Sequence, residues 1–240
     1  MLNDSLGLER NSLMVDGIAD WLMERALSEQ TTMKALYEDT CLRLLAEGLP
    51  IIRGHLAFRT LHPLFAAISN VWYKDQETQH LEISHSSTIA RPDWDASPYA
   101  FLTDNDIGHL RRRLTGEESL LDFPVLKEFR EKFEATDYLA YAIPFDPEAQ
   151  GETLKSGVIG SWLTNRPGGF SENDLRALLR IQLRLAVTFK VLIKSQIADN
   201  ILNTYLGPDA GRLVLSGQIK RGDYESIQSV IWYSDMRDST

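Results

Sequence analysis

Apolar residues recur every three to four positions in two segments near the start of the chain, and this period predicts two amphipathic helices. The first helix is predicted over residues 12–28 and the second over about 31–47, where Gly48 and Pro50 form a stop signal. Cys41 lies on the apolar stripe of the second helix. We interpret it as a small buried hydrophobe, with a reactive or chromophore-bearing thiol as the alternative.

After Pro50 the apolar period shortens toward two residues. This pattern predicts strands of an antiparallel meander over about 51–83, with a polar hairpin turn at 74–78. Histidines in this stretch lack the tight spacing of a metal site, and no cysteine or paired carboxylate joins them. We interpret them as solvated or hydrogen-bonded strand residues, with metal binding as the alternative. They are His55, His62, His80 and His85.

The middle of the chain, residues 86–122, is rich in Ser, Asp, Pro and Arg and has no strong period. A helix is predicted for part of it, near 104–114. The basic triplet at 111–113 is a candidate phosphate site, but acidic residues flank it on both sides. We therefore interpret the triplet as a solvated basic face.

Regular patterns return in the second half of the chain. Residues 124–135 predict a short helix with Pro124 in its first turn, and residues 138–143 and 157–163 predict two further strands. These segments add a second group of strands to the predicted meander.

A long helix without an internal breaker is predicted over 172–206. Ser171 is its predicted N-cap, and Asp174 takes the place of the Glu or Gln of a capping box. The apolar residues of this helix occupy more than one face, so one face can cover a sheet and the surplus needs another surface. We expect a homodimer through this helix, and the alternative is a helix buried inside one large domain.

Composition limits the classes of partner. The 240 residues allow one sizeable domain with appendages. A formal charge of −9 repels phosphate backbones and anionic lipid, so we expect no nucleic-acid partner and no membrane insertion. The single cysteine, the acidic start and the lack of a long apolar run lead us to expect a cytoplasmic protein.

The order of predicted elements resembles that of a GAF-type sensor domain. Residues 156–163 look like the last strand of that family, and residues 169–179 look like its capped final helix; residues 59–63 also resemble sensor segments that precede nucleotide cyclases. The resemblance implies an α+β fold with a GAF-like antiparallel sheet flanked by helices. The implied organisation is an N-terminal helix at 1–28, a sensor domain at 29–171 and a signalling helix at 172–205.

Residues 205–240 resemble the entry into the catalytic domain of class III adenylate and guanylate cyclases. The likeness consists of a short helix bearing Val214 and Leu215, a glycine-containing connector, a strand at 229–233 and an acidic motif that begins at Asp235. The motif departs from the family pattern at Asp238 and Ser239, where Gly and Phe are usual. The resemblance therefore implies a transducer segment and an incomplete first strand of a cyclase domain at 206–240.

In such a cyclase two metal ions activate the 3′-hydroxyl and steady the leaving pyrophosphate. By resemblance, Asp235 is a metal ligand and the backbone carbonyl of Met236 an accessory ligand, with Mg or Mn as the ion in the full-length parent. The remaining catalytic residues of the family would follow Thr240. We therefore expect a truncated catalytic domain, and a 240-residue chain that is inactive and carries no cofactor itself.

The predicted function is the dimerising, regulatory sensor region of a class III cyclase that makes cAMP or cGMP from ATP or GTP. A small-molecule effector is expected, but the sequence assigns no ligand-binding residue. The alternative is a free-standing GAF-like domain that binds a small molecule or acts as a scaffold without catalysis. A hydrolase is disfavoured because the chain has neither a nucleophile elbow nor a P-loop.

Overall fold

The computed structural model describes most of the chain. The described residues are 2–28, 31–60, 62, 64–85, 92–146, 156–217, 230 and 232. They belong to two compact units, Met1–Ala198 and Asp199–Thr240. No helix among them is long and apolar enough to cross a membrane.

Helices and strands alternate in blocks along the chain. The helices are α1 (Leu2–Ala26), α2 (Met33–Ala46), α3 (Pro92–Asp95), α4 (Pro98–Asp104), α5 (Pro124–Phe133), α6 (Glu172–Leu206) and α7 (Pro208–Leu215). The strands are β1 (Arg53–Arg59), β2 (Phe65–Tyr73), β3 (Gln76–Ser84), β4 (His109–Arg113), β5 (Asp137–Pro144) and β6 (Gly157–Thr164). The predicted mixture of α and β elements and the long C-terminal helix are confirmed.

All six strands form one antiparallel sheet in the order β3-β2-β1-β6-β5-β4. Strand β1 is central and pairs with β2 on one side and β6 on the other, so that His55 lies opposite both Val71 and Ser161. The first and last strands are therefore neighbours, and the two groups of strands form a continuous sheet.

Each face of the sheet has its own core, because successive side chains on a strand point to opposite faces. One face, which we call the α1/α2/α6 face, carries Leu56, Trp72 and Trp162 against the three helices. The other, the α4/α5 face, carries Ala57, Tyr138 and Leu163 against α4 and α5. We find the candidate site on the α4/α5 face.

Gly160 allows close packing at the centre of the sheet. A Cβ atom there would lie 2.3 Å from the backbone oxygen of His55 and 2.4 Å from the Tyr141 ring. Real Cβ atoms do not approach other atoms so closely, so only glycine lets β6 and the Tyr141 side chain share this space.

The start of α6 confirms the predicted cap. Asp174 N donates to Ser171 Oγ at 3.2 Å, and Ser171 N donates to Asp174 Oδ2 at 2.7 Å. Two backbone N–H groups at the helix start are thereby satisfied reciprocally, as in a capping box. The short helix expected at Val214 and Leu215 is α7.

The helix predicted near 104–114 is wrong. Helix α4 ends at Asp104, Asp106 adopts a left-handed φ of 52°, and residues from His109 onward form edge strand β4. This arginine-rich strand lacks the alternation of apolar and polar residues that predicts a strand, because ion pairs with aspartates stabilise its long side chains. The strand expected at 229–233 lies outside the described residues except for Val230 and Trp232, which belong to no strand and are 93% and 85% exposed.

Candidate functional site

Polar side chains meet in the interior of the α4/α5 face, where the surrounding residues are apolar. Arg53 and His55 alternate along β1 and therefore point to the same face. Ser69 comes from β2, Ser161 from β6, and Tyr99 from α4 above the sheet. We call these five residues the buried polar chain.

Hydrogen-bond distances connect all five residues in series. His55 Nε2 lies 2.9 Å from Ser69 Oγ, and His55 Nδ1 lies 2.5 Å from Tyr99 Oη. Tyr99 Oη lies 2.8 Å from Ser161 Oγ, which accepts a hydrogen bond from Arg53 Nη1 at 3.3 Å. Because a neutral imidazole donates at one nitrogen and accepts at the other, His55 can satisfy both of its neighbours.

Burial keeps the side chains of the buried polar chain uncharged, except that of Arg53. Burial, and then the nearby Arg53 cation, lower the pKa of His55 from 6.5 to about 3. Burial likewise raises the pKa of Tyr99 above its usual value. At physiological pH the imidazole of His55 and the phenol of Tyr99 therefore both stay uncharged. The guanidinium of Arg53 is then the one charged group among the five residues of the buried polar chain.

Arg53 is enclosed by aromatic rings. Its guanidinium carbon lies 4.9 Å from the centroid of the Phe129 ring and 5.7 Å from that of Tyr73. The hydroxyls of Tyr73 and Tyr99 also lie beside it. Contacts of this kind stabilise a cation through the ring faces, typically by about 0.5–2 kcal/mol each.

The polar chain is better suited to recognition than to catalysis. Ser69 Oγ and His55 Nε2 have the separation of a nucleophile and its general base. However, an imidazole with a pKa of about 3 is a weak base, and its other nitrogen contacts a phenol instead of a carboxylate. Ser69 is also only 6% exposed, so a substrate has poor access to it.

The strand histidines were predicted to be solvated or hydrogen-bonded, and the structure shows hydrogen bonds. Besides His55, His80 Nδ1 lies 2.7 Å from Asn70 Oδ1, and His85 Nε2 donates to the backbone oxygen of His62 at 3.0 Å. Within the described ranges no group of three or more His, Cys, Asp or Glu side chains is placed to hold a metal ion.

The basic triplet is engaged internally, which corrects its interpretation as a solvated face. Arg111 Nη2 donates to Asp137 Oδ2 at 2.7 Å, Arg112 Nη2 donates to Asp122 Oδ2 at 2.7 Å, and Arg113 donates to the backbone oxygen of Gly168. Edge strand β4 thus uses its arginines to fix the turn before α6, because Asp137 also accepts from Phe170 N at 3.0 Å.

Cys41 is fully buried on α2, as its position in the apolar stripe predicted. Burial raises the pKa of its thiol well above the usual value, which leaves little reactive thiolate. Asp235 and Met236, the predicted metal ligands, lie outside the described residues. Their role, and that of Mg or Mn, stays a prediction.

Sequence reasoning missed Arg53, Ser69, Tyr99 and Ser161. A signal for Arg53 was present, because it follows two isoleucines at the start of a strand whose neighbours are apolar. Tyr99 and Ser161 carried no such signal. They are 62 positions apart in sequence and meet only because α4 covers β6.

Comparison with known proteins gives no family assignment. No protein-family model matches the chain, and no curated protein is significantly similar to it.

Proposed function

We propose that the chain is the dimerising, regulatory sensor region of a class III nucleotide cyclase. Support comes from the order of elements: two helices, a three-stranded meander, a helical insertion, further strands and the long helix α6. This order of elements is the feature by which the sequence resembles a GAF-type sensor domain. The buried polar chain gives such a sensor an internal polar site.

An exposed apolar stripe on α6 is the observation that carries the proposal. Leu179, Leu183, Val187 and Val191 are 38%, 54%, 58% and 50% exposed. They follow one another at intervals of four residues and therefore lie along one side of the helix. The opposite side, which includes Leu178 and Leu185, is fully buried against the sheet.

A second copy of the chain is the occupant that we propose for this stripe. A two-fold axis places the same patch on both partners, so a continuous apolar row meets its own copy. Residues four apart on paired helices interdigitate in the packing of helix bundles. The two α6 helices would then set how the segments after α6 in the two copies are placed relative to each other. A ligand that binds more tightly to one arrangement of the helix pair would act as a regulator.

The cyclase part of the proposal rests on the resemblance of residues 205–240. The presence of α7 where a short helix was expected supports it. In the full-length parent, Asp235 and the carbonyl of Met236 would hold Mg or Mn beside the triphosphate.

A protein that contains a complete catalytic domain after Thr240 tests this assignment. Asp235→Ala should abolish metal-dependent formation of cyclic nucleotide and leave the dimer mass unchanged. Asp209→Ala is the matched control, since Asp209 is an exposed aspartate on α7 that pairs only with Arg212 in the part of the chain described. Full activity of the Asp235→Ala protein would remove Asp235 from the metal site.

A free-standing domain that binds a small molecule without catalysis is the second candidate. The enclosed guanidinium of Arg53, whose Nε has no hydrogen-bond partner, favours it, because ligand recognition on this face needs no cyclase. The coding sequence after Thr240 separates the two candidates: about 150 further residues with a second metal aspartate support the cyclase, and a stop codon supports the free-standing domain.

A further inference from the structure

Arg53 differs from Arg111, Arg112 and Arg166, because no carboxylate neutralises it. Arg111, Arg112 and Arg166 each form an ion pair with an aspartate. In the described part of the chain, no Asp or Glu oxygen lies within 4.0 Å of the Arg53 guanidinium.

The guanidinium also has a donor without an acceptor. Arg53 Nε is buried and has no hydrogen-bond partner, while Nη1 is the nitrogen that donates to Ser161. Burying a cation without a counter-ion, and an N–H without an acceptor, is unfavourable because the hydration lost on burial is not replaced. The rings of Phe129 and Tyr73 offset only part of that cost.

We propose that Arg53 anchors a binding site for a small aromatic carboxylate on the α4/α5 face of the sheet. The inference deepens the proposed sensor function, on which it rests for its biological role. It is carried by the unpaired guanidinium and by the residues that surround it.

The free edge of the guanidinium indicates a carboxylate. Nη1 is engaged by Ser161 and Nε has no acceptor, and the edge of the guanidinium that contains Nε and Nη2 carries two parallel N–H groups that match the two oxygens of a carboxylate. Arg53 as a whole is partly exposed although its Nε is buried, so an anion can reach the guanidinium from the exposed part of the side chain. Ser161 and Tyr99 supply hydroxyls beside the fork and orient it.

The rings around Arg53 indicate that the ligand is aromatic. Tyr73 stacks on Phe133 with centroids 5.6 Å apart, and Phe129 lies 5.8 Å from Tyr138. A planar ring attached to the carboxylate would add offset or edge contacts with this cluster, whereas a compact, strongly hydrated anion such as phosphate would not.

Calorimetric titration of the 240-residue chain with benzoate tests the proposal, with benzamide, acetate and inorganic phosphate as comparison probes. We expect benzoate to bind with a Kd at or below about 1 mM and each of the other three to bind at least about tenfold more weakly. Benzamide keeps the ring and lacks the charge, and acetate keeps the charge and lacks the ring.

Variants on β1 provide the structural control. Arg53→Gln should weaken benzoate binding at least about tenfold, and Arg53→Lys should also weaken it because an ammonium has no fork. Arg59→Gln removes an exposed arginine from the same strand and should leave binding unchanged. Circular dichroism establishes that each variant is folded.

The proposal would be overturned by no benzoate binding at several millimolar, by equal binding of benzamide or acetate, or by equal binding of benzoate to folded Arg53→Gln. Tighter binding of phosphate than of benzoate would overturn the carboxylate assignment. The oligomeric mass, measured on the same samples, keeps the two proposals apart. A dimer that does not bind benzoate contradicts only the ligand site, and a monomer that binds it contradicts only the dimer.

Discussion

Arg111 on edge strand β4 donates through Nη2 to Asp137 Oδ2 at 2.7 Å, and the Asp137 side chain is fully buried. The same carboxylate accepts from the backbone N–H of Phe170 at 3.0 Å. One aspartate therefore connects β4, β5 and the turn before α6, and its ion pair with Arg111 is a partly buried interaction.

The first prediction concerns this aspartate. Asp137→Asn should lower the free energy of unfolding by about 3 kcal/mol, because it leaves Arg111 and Arg113 facing an uncharged group in a buried setting. Asp16→Asn breaks the exposed pair with Arg180 and should cost no more than about 1 kcal/mol. Urea unfolding followed by tryptophan fluorescence measures both, and equal losses would show that burial of Asp137 has no energetic role.

The second prediction concerns pH. The pKa of His55 is about 3 in the folded chain and 6.5 when unfolded, so the unfolded state binds the extra proton between these values. Stability from this residue is complete above pH 6.5 and decreases as the pH falls toward 3. Between about pH 7.5 and pH 5 the wild type should lose about 2 kcal/mol more stability than His55→Gln, which does not titrate. Parallel stability profiles for the two proteins would contradict the buried neutral imidazole.

The third prediction concerns the centre of the sheet. Gly160→Ala places a Cβ 2.3 Å from the backbone oxygen of His55, so the strands must separate, and we expect a loss of about 2 kcal/mol or more. Gly108→Ala is the control, since its Cβ would meet nothing closer than 3.9 Å. Thermal unfolding compares the two variants. A Gly160→Ala protein as stable as Gly108→Ala would mean that the close packing at Gly160 is not needed.

Hydrophobic periodicity predicted the elements that bury an apolar side. Helices α2, α5 and α6 and strands β1, β2, β5 and β6 follow their patterns closely, because burial of one face decides which residues can occupy it. Strand β4 escaped prediction because partners distant in sequence, such as Asp137 for Arg111, satisfy its polar side chains. Helix propensity and local pattern contain no information about such partners.

The candidate site was less predictable than the fold. The sequence predicted that His55 is a solvated or hydrogen-bonded strand residue, but it did not predict the partners Tyr99 and Ser69, which come from other elements. The unpaired state of Arg53 depends on which carboxylates the fold brings near it, and that is a property of the packed sheet. A sequence pattern can show an arginine inside an apolar run but not the lack of a counter-ion.

Pairing of the exposed α6 stripe with a second copy is the central claim, and sedimentation equilibrium tests it most directly. At high micromolar concentration the chain should have twice its mass of 27.2 kDa. The double variant Leu183→Glu with Val187→Glu should have the mass of one chain and an unchanged circular dichroism spectrum, because buried carboxylates oppose the contact. Leu120→Glu, at a residue 49% exposed elsewhere on the surface, should remain dimeric. A single-chain mass for the unaltered protein, or a dimer that survives both stripe substitutions, would contradict the claim.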